Sequence, residues 1–235
     1  MALGRQDRVS VRHATTLLCD SNYMASVIAH TYGRLARVTY PGVDLSAFRL
    51  ESGTRSDRAL SVGALDPTKG HDLVVRALAT LHPGERPGLD IVYERALDGY
   101  STFLVALGRD LGVDVALHRG LTDAVLARMY GSALVTICAA TLEPFGLTVL
   151  ESTAVGTPVI AANEGGFRET VQQGRNGLLV ERNPASLAAG IRQIKHGALS
   201  DPAQVSLNAV AWSWERTADG VCSALDEAVL TGITN

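Results

Sequence analysis

The stretch ALVTICAATLEPFGLTVLESTAVGTPVIAAN (133–163) decides the fold. It begins with an apolar run at 133–140, continues through a turn and a helical segment at about 145–155, and ends in a second apolar run at 157–163. Runs that are apolar throughout are typical of strands in a parallel sheet that helices cover on both faces. The stretch therefore predicts a strand–helix–strand unit of an α/β domain.

The same alternation extends along the rest of the chain. We predict further strands at 14–20, 37–41, 59–65, 89–93, 113–119 and 177–181, and further helices at about 22–32, 70–81, 100–111, 122–131, 166–173, 185–196 and 214–230. Repetition of strand and helix with short Gly-containing turns is typical of a doubly wound, Rossmann-like parallel sheet. The predicted fold class is therefore α/β.

Composition excludes several classes of protein. Of the 235 residues 46% are hydrophobic, and 21 basic against 24 acidic residues give a net charge of −3, so we expect no nucleic-acid partner. MALGRQDRVSVRH (1–13) is too polar for a signal peptide, and no apolar run reaches the roughly 18 residues of a membrane span. The cysteines and histidines lack metal-ligand spacing. We predict a soluble, cytoplasmic protein without a metal site.

A polar stretch interrupts the alternation. Residues 44–58 (DLSAFRLESGTRSDR) carry Gly and Ser and follow neither periodicity, so we interpret them as a linker. The residues before it suffice for one β-α-β piece but not for a domain. We therefore divide the chain into a remnant piece (1–43), the linker (44–58), a Rossmann-like domain (59–200) and C-terminal helices (201–235).

The turn in TLEPFGLTVLES (141–152) has the features of an anion site. We expect the helix to begin near Phe145, with Pro144 tolerated in its first turn because the missing N–H costs nothing there. The N–H groups of Phe145, Gly146 and Leu147 would then point out of the helix start, where they can bind a phosphate. Gly146 would also permit a close approach of that phosphate.

Two glutamates flank this helix start. Glu151 lies four residues beyond Leu147 on the same helical face, about 6 Å along the axis, which matches the step from the phosphates of a nucleotide to its ribose. Glu143 precedes the helix and would face whatever the phosphates carry. Alternatively, Glu143 is only a charge favoured by the helix dipole, and Glu151 is a solvated helix residue.

Two other strand ends carry candidate cations. GALDPTKGHDL (63–73) places Lys69 at a helix start, where a cation opposes the helix dipole unless an anion is bound nearby. Arg119 follows another strand and could flank a base, and both cations could equally be solvated. No strand is followed by GxGxxG, which argues against an NAD or FAD domain, and GALDPTKG lacks the spacing of a Walker-type loop.

Several motifs, in the right order, resemble one family. EPFGLTVLE (143–151) is a Glu-x7-Glu motif, and it is followed by STAVGTPVIAANEGGFRETVQQGRNGLLV (152–180). YPGVDLSAF (40–48), SVGALDPTKGHDLVVRAL (61–78) and WSWERTADGV (212–221) are similar to further signatures of the same family. Over about residues 14–230 the chain resembles the retaining, nucleotide-sugar-dependent glycosyltransferases of family four, the glycogen-synthase-like group 1 enzymes. Their architecture is the GT-B pair of Rossmann domains.

The resemblance implies a role for each candidate residue. Glu151 would bind the ribose hydroxyls, and Glu143, the catalytic residue, would contact the donor sugar and steady the charge that develops at its anomeric carbon. Lys69 and the helix start would hold the diphosphate and stabilise it as a leaving group. Enzymes of this kind need no metal and no other cofactor. The implied nucleotide-sugar-binding set is Lys69, Arg119, Phe145, Gly146, Leu147 and Glu151.

Three departures from the family pattern qualify this implication. The family's phosphate-binding arginine is Ala64 here, and its short Gly-rich turn is replaced by YERALDGY (93–100), whose Arg95 could supply the lost charge. The N-terminal domain, which supplies the acceptor site and the catalytic histidine, has no counterpart. Residues 14–43 resemble only the last β-α unit of that domain.

We therefore expect the donor-binding, C-terminal half of a retaining glycosyltransferase, incomplete or inactive on its own, whose catalysis needs a separate acceptor-domain chain. A partner or a second copy of this chain would cover the apolar surface near residues 14–43 and 212–230. Alternatively, the chain is a truncated piece or the product of a decayed gene. The alternative is a non-catalytic nucleotide or nucleotide-sugar binding or regulatory subunit, which the loss at Ala64 favours. An interaction protein that keeps only the fold is a third reading, against which the presence of Glu143, Glu151 and Lys69 counts. The sequence does not reveal the base, the sugar or the acceptor.

Overall fold

The chain builds one large and one small sheet, which a computed structural model describes for residues 2–51 and 53–233. The strands are β1 (Leu18–Cys19), β2 (Arg37–Val38), β3 (Arg58–Val62), β4 (Gly88–Tyr93), β5 (Val115–Arg119), β6 (Val135–Cys138), β7 (Val159–Ala162) and β8 (Gly177–Val180). The helices are α1 (Ala2–His13), α2 (Asn22–Tyr32), α3 (His71–Ala79), α4 (Tyr100–Leu111), α5 (Asp123–Ser132), α6 (Leu147–Ala154), α7 (Phe167–Thr170), α8 (Pro184–Lys195), α9 (Pro202–Ser206) and α10 (Trp214–Ile233).

The large sheet has six parallel strands in the order β5-β4-β3-β6-β7-β8. From β3 the chain winds outward through β4 and β5, and it then returns to the other side of β3 with β6. This is the doubly wound order in which the direction of winding reverses between the first and fourth strands. The predicted α/β class and the parallel sheet are confirmed.

Helices cover both faces of this sheet. On one face Val75 of α3, Leu104 of α4 and Ile191 of α8 are fully buried in the largest apolar cluster. On the other face Tyr130 of α5 and Leu150 of α6 are fully buried in a second cluster. Because neither face of the central strands meets water, their buried positions do not alternate between apolar and polar: they are mostly apolar, with Ser61 of β3 and Thr136 of β6 as buried polar exceptions.

Each predicted strand and helix is present, although most differ in length. Strands β1 and β2 span two residues each, where the sequence predicts strands at 14–20 and 37–41. These two strands pair with each other and, within the described residues, with no further strand. A two-stranded ladder has little to stabilise it, so pairing ends after a few residues.

One carboxylate of the large domain accepts several hydrogen bonds from the N-terminal piece. Glu169 of α7 accepts hydrogen bonds from the backbone N–H of Asn22 (3.0 Å) and of Tyr23 (2.9 Å), and from the hydroxyl of Tyr40 (2.9 Å). The N–H groups belong to the start of α2, where a carboxylate is favoured. Burial would raise the pKa of Glu169, but the bonds from Tyr23, Asn22 and Tyr40 outweigh it and lower that pKa.

Two helices were not predicted. Residues 2–13 form α1, whose last carbonyl groups are capped by the guanidinium of Arg34, a tertiary contact with no local signal in the sequence. Residues 202–206 form α9, which begins with Pro202 after the capping carboxylate of Asp201. This second signal is local and is a standard mark of a helix start, so it was available in the sequence.

The predicted linker is anchored at its N-terminal end. Val43 and Phe48 are buried, and the ring of Phe48 contacts that of Tyr130 edge-on at 6.1 Å between centroids. Asp44 caps the turn between them by accepting from the N–H of Ser46. The division of the chain at 43, 58 and 200 remains a prediction.

Candidate active site

The carboxyl ends of the six parallel strands lie at one edge of the large sheet. Lys69 follows β3 and Glu143 follows β6, the two strands between which the winding reverses. Ligands of doubly wound sheets bind in the crevice at this reversal. Residues 74 positions apart in the chain are thereby brought to the place where the fold offers a binding site.

Lys69 and Glu143 form an ion pair. The Nζ of Lys69 lies 2.7 Å from Oε2 of Glu143, and their side chains are 30% and 19% exposed. The two loops that carry them are joined by a hydrogen bond from the N–H of Thr141 to the carbonyl of Thr68 at 2.7 Å. The pair lines a cavity of about 70 Å³, together with Thr148 of α6. Neither side chain is a solvated surface charge.

The loop that carries Glu143 is held by two glycines at the end of β7. The N–H of Gly166 donates to the carbonyl of Glu143 at 2.7 Å. A Cβ on Gly165 would lie 2.5 Å from that same carbonyl oxygen, and a Cβ on Gly166 would lie 2.3 Å from the carbonyl oxygen of Pro144. The residue before Glu143, Leu142, has a left-handed φ of +50°, so this loop stores backbone strain. The glycines thus fix the backbone of Glu143.

Helix α6 begins two residues later than the sequence predicts. Its first residue is Leu147 and not Phe145, because Gly146 adopts a left-handed φ of +96° that interrupts the helix. Pro144 is therefore outside the first turn, which corrects the prediction. Phe145 is 3% exposed and packs against the rings of Tyr40 and Trp212, so its side chain belongs to the core.

The start of α6 presents unpaired donors. Among the described residues, the N–H groups of Gly146, Leu147 and Thr148 have no acceptor, whereas the N–H of Val149 donates to the carbonyl of Gly146 at 3.0 Å. Three adjacent donors at a helix start attract an anion. A Cβ on Gly146 would lie 2.8 Å from the ring of Phe167, so only glycine fits there.

Glu151 lies one turn further along α6. Its Oε2 accepts a hydrogen bond from the hydroxyl of Tyr130 at 2.8 Å. Burial raises the pKa of Glu151, the bond from Tyr130 opposes that rise, and Asp123 adds to it. Sequence reasoning missed Tyr130, because nothing local connects an apolar-face tyrosine of α5 with a glutamate of α6.

Arg119 ends β5 and lies away from the Lys69–Glu143 pair. It is exposed, and its Nε donates to the carbonyl of Glu94 in the loop after β4 at 3.2 Å. The same loop pairs with the turn after β3, since the N–H of Leu65 donates to the carbonyl of Arg95 at 2.8 Å. Arg95 is exposed, and its backbone lies beside the residue that follows Ala64.

A buried histidine supports the turn that carries Lys69, and sequence reasoning missed it. His71 is fully buried, with Nδ1 2.9 Å from the hydroxyl of Ser61 and Nε2 3.2 Å from the carbonyl of Ala64. Burial lowers the pKa of His71, so the ring is neutral. Its place directly after Gly70, at a helix start, was a usable signal.

The N-terminal piece also contacts the Glu143 loop. The hydroxyl of Ser21 donates to the carbonyl of Pro144 at 2.6 Å and accepts from the N–H of Met24, so one side chain both caps α2 and holds the loop. Within residues 2–51 and 53–233, no three His, Cys, Asp or Glu side chains are grouped to hold a metal ion. No helix in this part of the chain is both long and apolar enough to cross a membrane.

Comparison with known proteins decides the family. The profile of the glycosyl transferases group 1 matches residues 44–211. The chain belongs to this family. Two relatives of this group 1 glycosyltransferase chain are the D-inositol 3-phosphate glycosyltransferases of Acidothermus cellulolyticus, 36% identical over 220 residues, and of Geodermatophilus obscurus, 34% identical over 242 residues. The matches cover 82% and 93% of this chain but 48% and 54% of the relatives. The chain thus spans about half the length of these relatives.

Solved structures show the same fold. Sucrose-phosphate synthase from Thermosynechococcus elongatus superimposes with a TM-score of 0.86 at 22% identity, covering 96% of this chain and 61% of that one. Anabaena Alr3699/HepE in complex with UDP and glucose superimposes with a TM-score of 0.81 at 22% identity, covering 92% and 64%. The group 1 chain therefore has the Rossmann-like fold of the C-terminal domain of GT-B glycosyltransferases.

Proposed function

We propose that this chain is the donor-binding part of a retaining glycosyltransferase that transfers a sugar from a nucleoside diphosphate to an acceptor. The observation that carries the proposal is the meeting of Lys69, Glu143 and the start of α6 at the reversal of the sheet. Lys69 and the helix start bear charge and donors suited to the diphosphate of one ligand, and Glu143 bears a carboxylate suited to its sugar.

The diphosphate is proposed to bind at the start of α6. The N–H groups of Gly146 and Leu147 lack acceptors among the described residues, and Lys69 supplies a cation nearby. Negative charge develops on the diphosphate as the glycosidic bond to it breaks, and preorganised donors stabilise that charge. In this proposal Lys69 and the helix supply the positive charge, and no metal is required.

Ribose and sugar are proposed to lie on either side of the diphosphate. Glu151 lies one turn into α6 and would accept hydrogen bonds from the ribose hydroxyls. Glu143 precedes the helix and would face the sugar, where its carboxylate stabilises positive charge at the anomeric carbon. Arg119, at the end of β5, would flank the base.

The acceptor site is proposed to come from outside the donor domain. Large apolar side chains are exposed on α10 and the segment before it, which supports a covering partner domain or chain. They are Leu207, Val210, Trp214, Leu225 and Val229. The name of the relatives, D-inositol 3-phosphate glycosyltransferase, describes whole proteins of about twice this length. For this chain we therefore propose donor binding and no particular acceptor.

A cytoplasmic location belongs to the same proposal. Cys19, Cys138 and Cys222 form no disulfide in the part of the chain that the structure describes. Unpaired cysteines are usual in a reducing compartment.

Nucleotide binding tests the proposal. UDP, GDP and ADP, and their sugars, are added separately and the melting temperature is followed. At a concentration of about 100 Kd the matching nucleotide should stabilise the fold by about 2.7 kcal/mol, which raises the melting temperature by about 5–10 °C. Glu151→Ala should abolish this rise, and Glu85→Ala, at an exposed carboxylate before the amino end of β4, should keep it. If no nucleotide of the panel raises the melting temperature, the proposed function is wrong.

A further inference from the structure

Among the described residues Tyr130 is the largest fully buried side chain, and its hydroxyl is hydrogen-bonded to the candidate ribose-binding residue Glu151. It is 0% exposed, and its hydroxyl donates to Oε2 of Glu151 at 2.8 Å. Its ring contacts Phe48 edge-on, and its carbonyl accepts from the hydroxyl of the buried Thr157 at 2.7 Å. Ring and backbone are therefore both fixed, and the hydroxyl has one position.

In this hydrogen bond the hydroxyl of Tyr130 is the donor and the carboxylate of Glu151 is the acceptor. Burial, followed by the charge of Glu151, raises the pKa of Tyr130 well above its ordinary value, so the hydroxyl keeps its proton and donates a hydrogen bond to the ionised carboxylate of Glu151. Among the described residues no other side chain donates to this carboxylate, which leaves Oε1 for a ligand.

We propose that Tyr130 is a positioning residue for Glu151: its hydroxyl fixes Oε2 and thereby orients Oε1 toward the two ribose hydroxyls of the nucleotide. This inference rests on the proposed function. It also assigns to Tyr130 part of the selectivity for ribonucleotides over 2′-deoxynucleotides, because a carboxylate that cannot rotate distinguishes a diol from a single hydroxyl.

A purely structural role for Tyr130 predicts something different. If the hydroxyl only satisfied a buried polar group, its removal would lower the stability of the protein. It would leave the ratio of the ribonucleotide affinity to the 2′-deoxynucleotide affinity unchanged. If it positions Glu151, its removal lowers the ribonucleotide affinity and barely changes the affinity for the 2′-deoxynucleotide. The ratio of the two affinities is therefore the deciding quantity.

The experiment compares the unmodified protein with Tyr130→Phe, which keeps the ring. Calorimetry measures the affinity for the tightest of UDP, GDP and ADP and for its 2′-deoxy counterpart. We expect Tyr130→Phe to lose about tenfold in ribonucleotide affinity and to bring the ratio close to one. Tyr40→Phe is the matched control, because the hydroxyl of Tyr40 also donates to a carboxylate, at 2.9 Å, and its loss should leave the ratio unchanged.

The pH profile gives a second readout that packing alone would not move. The groups facing Glu151 are Tyr130 and Asp123 of α5 and Cys138 of β6. The hydrogen bond from Tyr130 lowers the pKa of Glu151, so its removal raises that pKa. The loss of ribonucleotide affinity on acidification should then begin at a higher pH in Tyr130→Phe than in the unmodified protein.

The outcomes separate the two proposals. A folded Tyr130→Phe with an unchanged ratio and pH profile overturns this inference alone, because the unmodified protein still binds the nucleotide as the proposed function requires. If the unmodified protein binds no nucleotide, the proposed function fails and this inference fails with it. If Tyr130→Phe does not fold, proton NMR of the unmodified protein decides. A slowly exchanging tyrosine hydroxyl resonance should shift with the ribonucleotide but not with its 2′-deoxy counterpart, and equal shifts would overturn the inference.

Discussion

The ammonium group of Lys69 and the carboxylate of Glu143 are in contact at 2.7 Å, across the strands between which the sheet reverses its winding. In the proposed function the two groups serve different parts of one ligand, Lys69 the diphosphate and Glu143 the sugar. Donor binding must therefore separate a pair that is mostly shielded from water. A nucleoside diphosphate without a sugar competes with Glu143 for the same cation.

This competition predicts that substitutions of Glu143 and of Lys69 change the affinity for nucleoside diphosphates in opposite directions. Glu143→Gln should bind UDP, GDP or ADP about three- to tenfold more tightly, because it no longer holds Lys69 or repels the phosphates. Lys69→Met should bind about tenfold more weakly, since the cation is lost. Titration calorimetry measures both, with Glu85→Gln at an exposed carboxylate as the control. Weaker binding by Glu143→Gln would contradict the assignment.

Replacing a glycine by alanine should destabilise the protein at Gly166, which packs against the loop of Glu143, but not at an open position. Gly166→Ala places a Cβ 2.3 Å from the carbonyl oxygen of Pro144, so the loop must shift. We expect a loss of about 2–4 kcal/mol in the free energy of unfolding, together with weakened nucleotide binding. The control is Gly131→Ala in α5, where a Cβ meets nothing within 4 Å. It should be neutral or stabilising by up to about 1 kcal/mol. Equal changes in the free energy of unfolding for Gly166→Ala and Gly131→Ala, measured by urea denaturation, would contradict the close approach of Gly166 to the carbonyl of Pro144.

The carboxylate of Glu169 predicts a pH-dependent attachment of the N-terminal piece. Its donors include two backbone N–H groups and the hydroxyl of Tyr40. Glu169→Gln should reduce the free energy of unfolding by about 1–3 kcal/mol at neutral pH. The folded-state pKa of Glu169 is lowered, so its contribution is present above the unfolded pKa and lost as pH falls through the folded one.

Urea denaturation of the unmodified protein and of Glu169→Gln at several pH values checks the direction in which the contribution of Glu169 changes with pH. The difference between the unmodified protein and Glu169→Gln should be largest above about pH 5 and shrink toward pH 3. Glu85→Gln should show no such difference at any pH, since Glu85 is exposed. A difference that grows on acidification would refute the assignment.

Arg95 is predicted to replace the cation lost at Ala64. The loop that carries it pairs with Leu65, the residue after Ala64, through a hydrogen bond of 2.8 Å to the carbonyl of Arg95. Arg95→Ala should weaken nucleotide diphosphate binding several-fold, as expected for one charge-assisted contact to phosphate. Arg109→Ala, at an exposed arginine of α4, should not. Unchanged affinity in Arg95→Ala would reject the replacement.

Much of the site could be predicted before the structure, and the exceptions have physical causes. The residue types around 141–152 indicate an anion site because helix starts and glycines have local signatures. The predicted start of α6 is two residues early, since Gly146 adopts a left-handed φ and leaves no room for a Cβ beside the ring of Phe167, a tertiary contact. Tyr130 was missed because its hydroxyl acts on Glu151 through a tertiary contact that no sequence spacing reveals. His71 was missed although its position directly after Gly70, at the start of α3, is a local feature of the sequence.

The sequence by itself determined the fold class and the residue types of the candidate site. Apolar runs, helical periodicity and turn residues act over one element at a time, so they can be interpreted without knowing what lies opposite. Only the tertiary structure decided the strand order, the ion pair of Lys69 with Glu143 and the hydrogen bond from Tyr130 to Glu151. These depend on which elements pack together, and the burial of both sheet faces selects that arrangement for the whole chain at once.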